Sequence, residues 1–238
     1  MLKIAVSGAA GKMAQRIINL AQEDPAVQLV ALLEQKGHPK IGSRVAGITI
    51  SDDPEKIEKS DCLIEFTAPS ATGEHLEFVL RYRKAVVIGT TGLDDQAVRR
   101  IEEAAKVIPV VFAPNMSIGV NLLFKLVKEA AAKLSANYRV NIIEAHHVHK
   151  KDAPSGTAKK IAEIIKDASG RAPQDVKSIR EGEIIGDHRI IFESELDRLE
   201  LFHSAKTRDI FAAGAITAAK WVKDKQPGLY SMQDVLFG

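Results

Sequence analysis

Apolar positions in the first half of the chain come in short continuous runs separated by stretches with helical spacing. Lys3 to Ser7 is a β-prone run that stops at the turn Gly8-Ala9-Ala10-Gly11. Ala14 to Gln22 then sets Ile17, Ile18, Leu20 and Ala21 at helical spacing, and Val27 to Leu33 forms a second strand ending at Glu34. Asp61 to Thr67, Ala85 to Gly89 and Pro109 to Ala113 read as further strands, with helices over Ala71 to Arg83 and Asp94 to Lys106. Repeated strand–helix units with short connections predict an α/β domain with a mostly parallel sheet covered on both faces.

After residue 117 the pattern changes. Val120 to Leu134 has the spacing of a long helix, and the apolar run Val140 to Ile143 leads into Glu144. A helix over Ala158 to Ala168 follows. Strand-like runs then come without regular helices between them: Val176 to Arg180, Glu183 to Ile185, His188 to Glu195 and Leu199 to Ser204. This texture predicts a second, α+β domain with a mixed sheet. Asp209 to Lys223 returns to an Ala-rich helix that docks back on the first domain. The expected division is 1–117 with 209–238, and 118–208, with hinges near Asn115 to Gly119 and Thr207 to Phe211 and a cleft that closes between the domains.

Composition narrows the classes. The chain has 238 residues, 45% apolar and 27% charged, which fits a globular protein with a substantial core. A net charge of +2 gives no reason to expect nucleic acid or another polyanion as partner. The single cysteine, Cys62, excludes an internal disulfide framework and reads as a buried strand thiol. No signal peptide or run long enough to span a membrane is evident, so a cytoplasmic location is expected. No His/Asp/Glu spacing argues for a catalytic metal.

The first candidate site is the glycine turn. A strand, a glycine turn, a helix, a strand and then an acid at Glu34 is the dinucleotide-binding, Rossmann-like pattern. Gly8 and Gly11 match the outer spacing of its glycine string, while Ala10 stands where a glycine is usual. Small residues let backbone approach a pyrophosphate, the helix start faces the anion, and Glu34 suits a ribose diol. Gly89-Thr90-Thr91 and Ala113-Pro114-Asn115-Met116 close later strands. They are either cofactor walls or ordinary turns.

The second candidate is denser. His146, His147, His149, Lys150 and Lys151 fall within six positions, and Ser155-Gly156-Thr157 then opens a helix. So many cations are costly to assemble unless they face an anion, and such a helix start offers free amides to a carboxylate or phosphate. An active site for an acidic small molecule is expected. His149 and Lys151 are either direct contacts or contributors to local positive potential. His38 and His75 read as surface groups, and Trp221 as packing for the returning helix.

The run Glu144 to Ala158, above all Lys150-Lys-Asp-Ala-Pro-Ser-Gly-Thr-Ala158, resembles the signature of the 4-hydroxy-tetrahydrodipicolinate (dihydrodipicolinate) reductases. The likeness extends to Gly8 through Met13, Phe66-Thr67, Gly89 to Gly92, Asn115 to Asn121, Arg180-Glu-Gly182, Gly186-Asp-His188, His203-Ser-Ala205, Arg208 and Phe211 to Ala215. The resemblance implies NADH- or NADPH-dependent reduction of a cyclic imine dicarboxylate in lysine and diaminopimelate biosynthesis, by a two-domain homotetramer assembled through the second domain's sheets. It implies that His146 is a proton donor/acceptor and Lys150 a proton donor. It also implies that His147, Lys150, Ser155, Gly156 and Thr157 bind substrate. Nucleotide contacts are implied for Gly8, Ala9, Ala10, Gly11, Lys12, Met13, Glu34, Gly89, Thr90, Thr91, Ala113, Pro114, Asn115 and Met116. Family members often carry arginine after the ribose-binding acid; Gln35 and Lys36 stand here, which favours dual cofactor use leaning to NAD. Neighbouring cations are expected to ease proton release from Lys150 and His146. The rivals are an L-aspartate dehydrogenase, which has no reason to carry the Lys150 to Thr157 string, and a dinucleotide sensor without turnover, which leaves the His/Lys cluster unexplained.

Overall fold

The computed structural model describes residues 1–134 and 136–238. They form two compact units, Met1–Ile118 with Asp209–Gly238, and Gly119–Arg208. The first unit contains β1 (Leu2–Ser7), α1 (Lys12–Glu23), β2 (Val27–Leu33), β3 (Arg44–Val45), β4 (Ile48–Ser51), β5 (Cys62–Glu65), α2 (Pro69–Arg81), β6 (Ala85–Ile88), α3 (Asp95–Ala105) and β7 (Pro109–Phe112). The second contains nearly all of α4 (Ile118–Lys133), then β8 (Arg139–His146), α5 (Gly156–Ser169), β9 (Asp175–Arg180), β10 (Asp187–Glu193) and β11 (Arg198–Ser204). The chain then completes the first unit with α6 (Asp209–Val222), β12 (Gly228–Tyr230) and α7 (Met232–Phe237).

The strand order in the first unit is β12-β7-β6-β5-β1-β2-β4-β3, parallel throughout except for the β3–β4 hairpin. Ala46 and Gly47 both take positive φ at that hairpin turn, the geometry a two-residue connection requires. β5 and β6 are buried on both faces, which is why they read as unbroken apolar runs. Cys62 is one of these buried positions, and burial raises its thiol pKa. On one face α1, α6 and α7 bury Ile17, Ile18, Ala215, Ala219 and Val235. On the other, α2, α3 and a 3-10 turn bury Ile57, Leu76, Val79 and Ile101.

Small residues bring α6 unusually close to its neighbours. A Cβ at Gly214 would lie 1.7 Å from the Met116 carbonyl oxygen. Lys220 pairs with Asp24 and Arg16 with Asp209, joining α6 to α1 and its C-cap. Trp221 packs at the margin of the core, edge-on to Tyr230 with ring centroids 5.1 Å apart.

In the second unit the order is β11-β10-β8-β9, with β8–β9 parallel and the other pairs antiparallel. Alternation divides β8 cleanly. Ile142, Glu144 and His146 are buried, and Ile142 joins Ile190 and Phe192 in the core beneath Leu123, Val127, Ile161 and Ile165 of α4 and α5. The inner face is therefore apolar at one end and polar at the other.

Glu183–Ile185, expected as a strand, is turn and coil. Gly182 takes φ +50, and the carbonyls of Gly182 and Ile184 accept from the amides of Val148 and His147 at 3.2 and 2.6 Å. These bonds tie the segment to the His/Lys loop instead of to a strand ladder. The two- and three-residue strands β3 and β12, and the six-residue α7, were too short to show a period in the sequence.

Gly214→Ala places a methyl group against a main-chain carbonyl and should lower stability by about 1–3 kcal/mol, the usual cost of overpacking. The urea midpoint reads this directly. An unchanged midpoint would mean that α6 can move off Met116 without loss.

Candidate active site

Strand pairing brings the second unit's chemical groups into one row. Glu144 on β8 lies opposite Ser178 on β9 and His188 on β10, and His188 lies opposite His203 on β11. One step along, His146 lies opposite Arg180. The Glu144 carboxylate is fully buried and receives two hydrogen bonds from Arg180, Nη2 to Oε1 at 2.9 Å and Nη1 to Oε2 at 3.0 Å. Its Oε1 also accepts from the Ser155 amide at 3.2 Å, and its Oε2 pairs with His146 Nδ1. Burial alone would raise this carboxyl; hydrogen bonds from Arg180, Ser178 and His146 outweigh it and hold the pKa at about 2.

The imidazoles respond in the opposite direction. His188 is buried, lies edge-on to His146 with ring centroids 5.3 Å apart, and has Nε2 3.3 Å from Ser155 Oγ. Burial, then the nearby His146 and His203, push its pKa down to about 3, so it is neutral at ordinary pH. His146 is also lowered, first by burial and further by Lys150 and Arg180, against the opposing pull of Glu144. The expected influence of neighbouring cations is thus present, but desolvation is larger.

The loop after β8 turns back over this row. Lys150 Nζ sits 2.8 Å from Asp152 Oδ1, so the ammonium has a carboxylate partner as well as cationic neighbours. Arg180 Nη2 also donates to the Asp152 carbonyl at 2.5 Å. Ser155 caps α5, its hydroxyl accepting from the Ala158 amide at 3.2 Å. Gly156 is exposed, and nothing in the protein would touch a Cβ placed there. His147 and His149 lie 6.1 Å apart, and His149, Val148 and Lys151 are exposed.

In the first unit, Gly8, Ala10, Gly11 and Glu34 line a cavity of about 560 Å³ together with Gln35, Lys36 and Thr67. Gly8 takes φ +70, and a Cβ there would lie 2.5 Å from the Phe66 carbonyl oxygen. Glu34 accepts from the Ala10 and Gln35 amides, both at 2.9 Å, so the carboxylate rests on the glycine turn. No acidic residue stands in the first turn of α1, which begins at Lys12. Ala9, Thr90, Ala113 and Met116 are buried, and neither Gly89–Thr91 nor 113–116 lines this cavity. Thr90 Oγ1 does hold the Thr67 amide at 3.0 Å.

His75 is not a surface group, whereas His38 is half-exposed at the cavity. Both line the cavity, and His75 Nδ1 lies 2.8 Å from the buried Glu65 carboxylate. Burial lowers the His75 pKa, but the hydrogen bond and charge of Glu65, with Glu74 and Glu34 beyond, raise it above its usual value.

Residues 2–116 match the family model described as dihydrodipicolinate reductase, N-terminus, and residues 119–236 the model for its C-terminus. The chain belongs to the dihydrodipicolinate reductase family. Two similar proteins are the 4-hydroxy-tetrahydrodipicolinate reductases of Syntrophus aciditrophicus (strain SB) and Syntrophotalea carbinolica (strain DSM 2380 / NBRC 103641 / GraBd1). Each is 42% identical over 99% of this chain, covering 98% and 99% of the relative. A similar structure is dipicolinate-bound dihydrodipicolinate reductase from Paenisporosarcina sp. TG-14, with TM-score 0.85, 27% identity and 98% of each chain covered. The aspartate dehydrogenase and sensor rivals give way to this assignment.

For this member of the reductase family, sequence reasoning passed over Glu144, Arg180 and His188 as site residues, although all three lay in the motifs that carried the resemblance. A strand-end acid two residues before a histidine was the available signal, because alternation puts both on one face.

The buried histidines predict a stability profile. Below its ordinary pKa of 6.5, His188 accepts a proton in the unfolded chain but not in the folded one until about pH 3. Its contribution is full above 6.5 and is lost as pH falls, at a limiting slope of about 1.4 kcal/mol per pH unit. His146 and His203 act in the same direction, and Glu144 adds its share from about pH 4.5 downward. His188→Asn should flatten the decline in urea midpoint between about pH 6 and about pH 4; an unaltered slope would place its source elsewhere.

Proposed function

We propose that the chain reduces 4-hydroxy-tetrahydrodipicolinate, a cyclic imine dicarboxylate, to tetrahydrodipicolinate with NADH or NADPH, within lysine and diaminopimelate biosynthesis in the cytoplasm; the 4-hydroxyl leaves as water, and the conjugated imine that this creates takes one hydride and one proton. The observation that carries the reading is the convergence of a desolvated His146, the Lys150 ammonium and the capped start of α5, in a chain of this family.

The glycine turn fits a dinucleotide. Gly8 has no room for a side chain, and the Glu34 carboxylate rests on the turn. Gly8 through Met13 hold the pyrophosphate at the start of α1, and Glu34 takes the adenosine ribose hydroxyls. Gln35 and Lys36, on the same cavity wall, admit both cofactors with a leaning to NAD. Gly89–Thr91 and 113–116, at the ends of β6 and β7, complete the nucleotide contacts through backbone. When bound, the reduced nicotinamide supplies a hydride.

The rest falls to side chains. His147 and Lys150 neutralise the substrate carboxylates, and Ser155, Gly156 and Thr157 receive one of them at the start of α5. Lys150 Nζ gives the proton that quenches charge on the reduced ring, and His146 donates or accepts one at Nε2. Asp152 holds the ammonium in place until substrate arrives.

The chain assembles as a homotetramer through the outer face of the second unit's sheet. That face carries Phe202, half-exposed, and Ile191 among the Arg189–Glu200 and Arg198–Glu200 ion pairs. Light scattering at micromolar concentration should return four times the chain mass; a monomer would remove the reading.

Lys150→Met should lower turnover by about 10²- to 10⁴-fold and also raise the Michaelis constant for substrate, since one group serves both roles. His146→Gln should lower turnover more than substrate binding. NADH affinity should be preserved in both. The assay follows NADH absorbance with freshly generated substrate. Near-normal turnover of Lys150→Met at saturating substrate would reassign the proton to water or His146.

A further inference from the structure

A fully buried acid beneath a cationic loop needs an explanation that binding an anionic substrate does not supply. Glu144 has no exposed surface, and its oxygens are committed within the protein: Arg180 and Ser155 N on Oε1, Arg180 and His146 Nδ1 on Oε2. It therefore cannot act on a ligand directly. It acts on the elements that do.

Two consequences follow from these partners. A carboxylate facing Nδ1 of His146 requires a hydrogen on that nitrogen, so the neutral ring is the Nδ1–H tautomer and Nε2 is the nitrogen left for proton exchange. Nε2 faces Gly186, where even a Cβ would come within 3.1 Å, so the glycine leaves space beside the reactive atom. The same carboxylate holds the Ser155 amide, which sets the start of α5 relative to that ring. The bidentate Arg180 is what allows the acid to be buried as an anion.

We propose that Glu144, clamped by Arg180, is a positioning residue that fixes the tautomer of His146 and locks its ring in register with the N-terminus of α5. This rests on the reading of His146 as the proton donor/acceptor. The charged and titratable groups facing His146 are Glu144 on its own strand, Arg180 from β9, His188 from β10 and Lys150 from the loop. Among these, only the carboxylate favours the protonated ring.

The test is nitrogen-15 NMR of the histidine-labelled full chain, with the His146 signal assigned by its loss in His146→Gln. The unmodified protein should show the Nδ1–H tautomer. In Glu144→Gln the Nε2–H form should appear, the His146 pKa should fall further, and the acid limb of the kcat profile should move to lower pH. kcat should drop about 10²-fold, the low end for a disabled general acid–base, with NADH affinity unchanged. Glu144→Gln strands a guanidinium, so Glu144→Gln/Arg180→Gln, which removes both charges, keeps the measurement available if the single variant does not fold. An Nδ1–H tautomer persisting in either folded variant overturns the proposal. The NMR arm needs no substrate: a tautomer shift with no turnover in any form would sink the reductase reading of His146 and leave the positioning role standing.

Discussion

The cationic loop after β8 holds together because the Glu144 carboxylate lies beneath it with its charge intact. Burying an unpaired carboxylate is prohibitive, and breaking a buried ion pair typically costs about 3–5 kcal/mol. Arg180 meets that demand with a two-point contact, and Ser178, Ser155 and His146 use the remaining lone pairs. Around this satisfied anion are gathered the His146 ring, the start of α5 and Asp152, whose carbonyl is a further partner of Arg180.

The first unit solves a similar problem in a similar way. Glu65 ends β5 as Glu144 nears the end of β8, and it too is buried among dedicated partners, the hydroxyls of Thr67 and Thr72 and the ring of His75. Those contacts hold the Phe66–Thr67 turn between two glycines: Gly8 meets the Phe66 carbonyl, and Gly89 lies so near the Phe66 ring that a Cβ would be 2.2 Å away. In both units a strand-end acid trades solvent for a fixed set of donors, and the adjacent turn becomes rigid as a result. Loops that must meet a ligand with small tolerance gain from being built on such an anchor.

Much of this was legible in the residues. The continuous apolar runs of β5 and β6 and the helical spacing of α1 and α3 reported the parallel sheet, because burial on two faces leaves that mark. The Glu144 to Ala158 string reported the family, and packing offers no reason to gather its cations. What stayed hidden has a common cause. Arg180 meets Glu144 across 36 positions, and His188 meets Ser155 across 33, so their pairing depends on strand register that no local period encodes. Glu183 to Ile185 carries a strand-like apolar pair, yet tertiary bonds to His147 and Val148 bend it into a turn. His75 looked like a surface group for the same reason, its partner Glu65 lying one strand-turn-helix step away.

The close fit of Gly214 against Met116 has a consequence for how the chain is made. The layer that α6 and α7 supply to the first unit is encoded after Arg208, so the ribosome delivers it after the second unit. Residues 119–208 must be synthesised in between, which takes about 5–18 s at about 5–20 residues per second. Through that interval Ile17, Ile18 and Val111 lack their covering helices and present an apolar face, and at its end the second unit has all the strands of its sheet while the first still lacks α6, β12 and α7. The second unit can thus finish folding before the first. Docking of α6, with Gly214 against the Met116 carbonyl, is the step that ends that exposure.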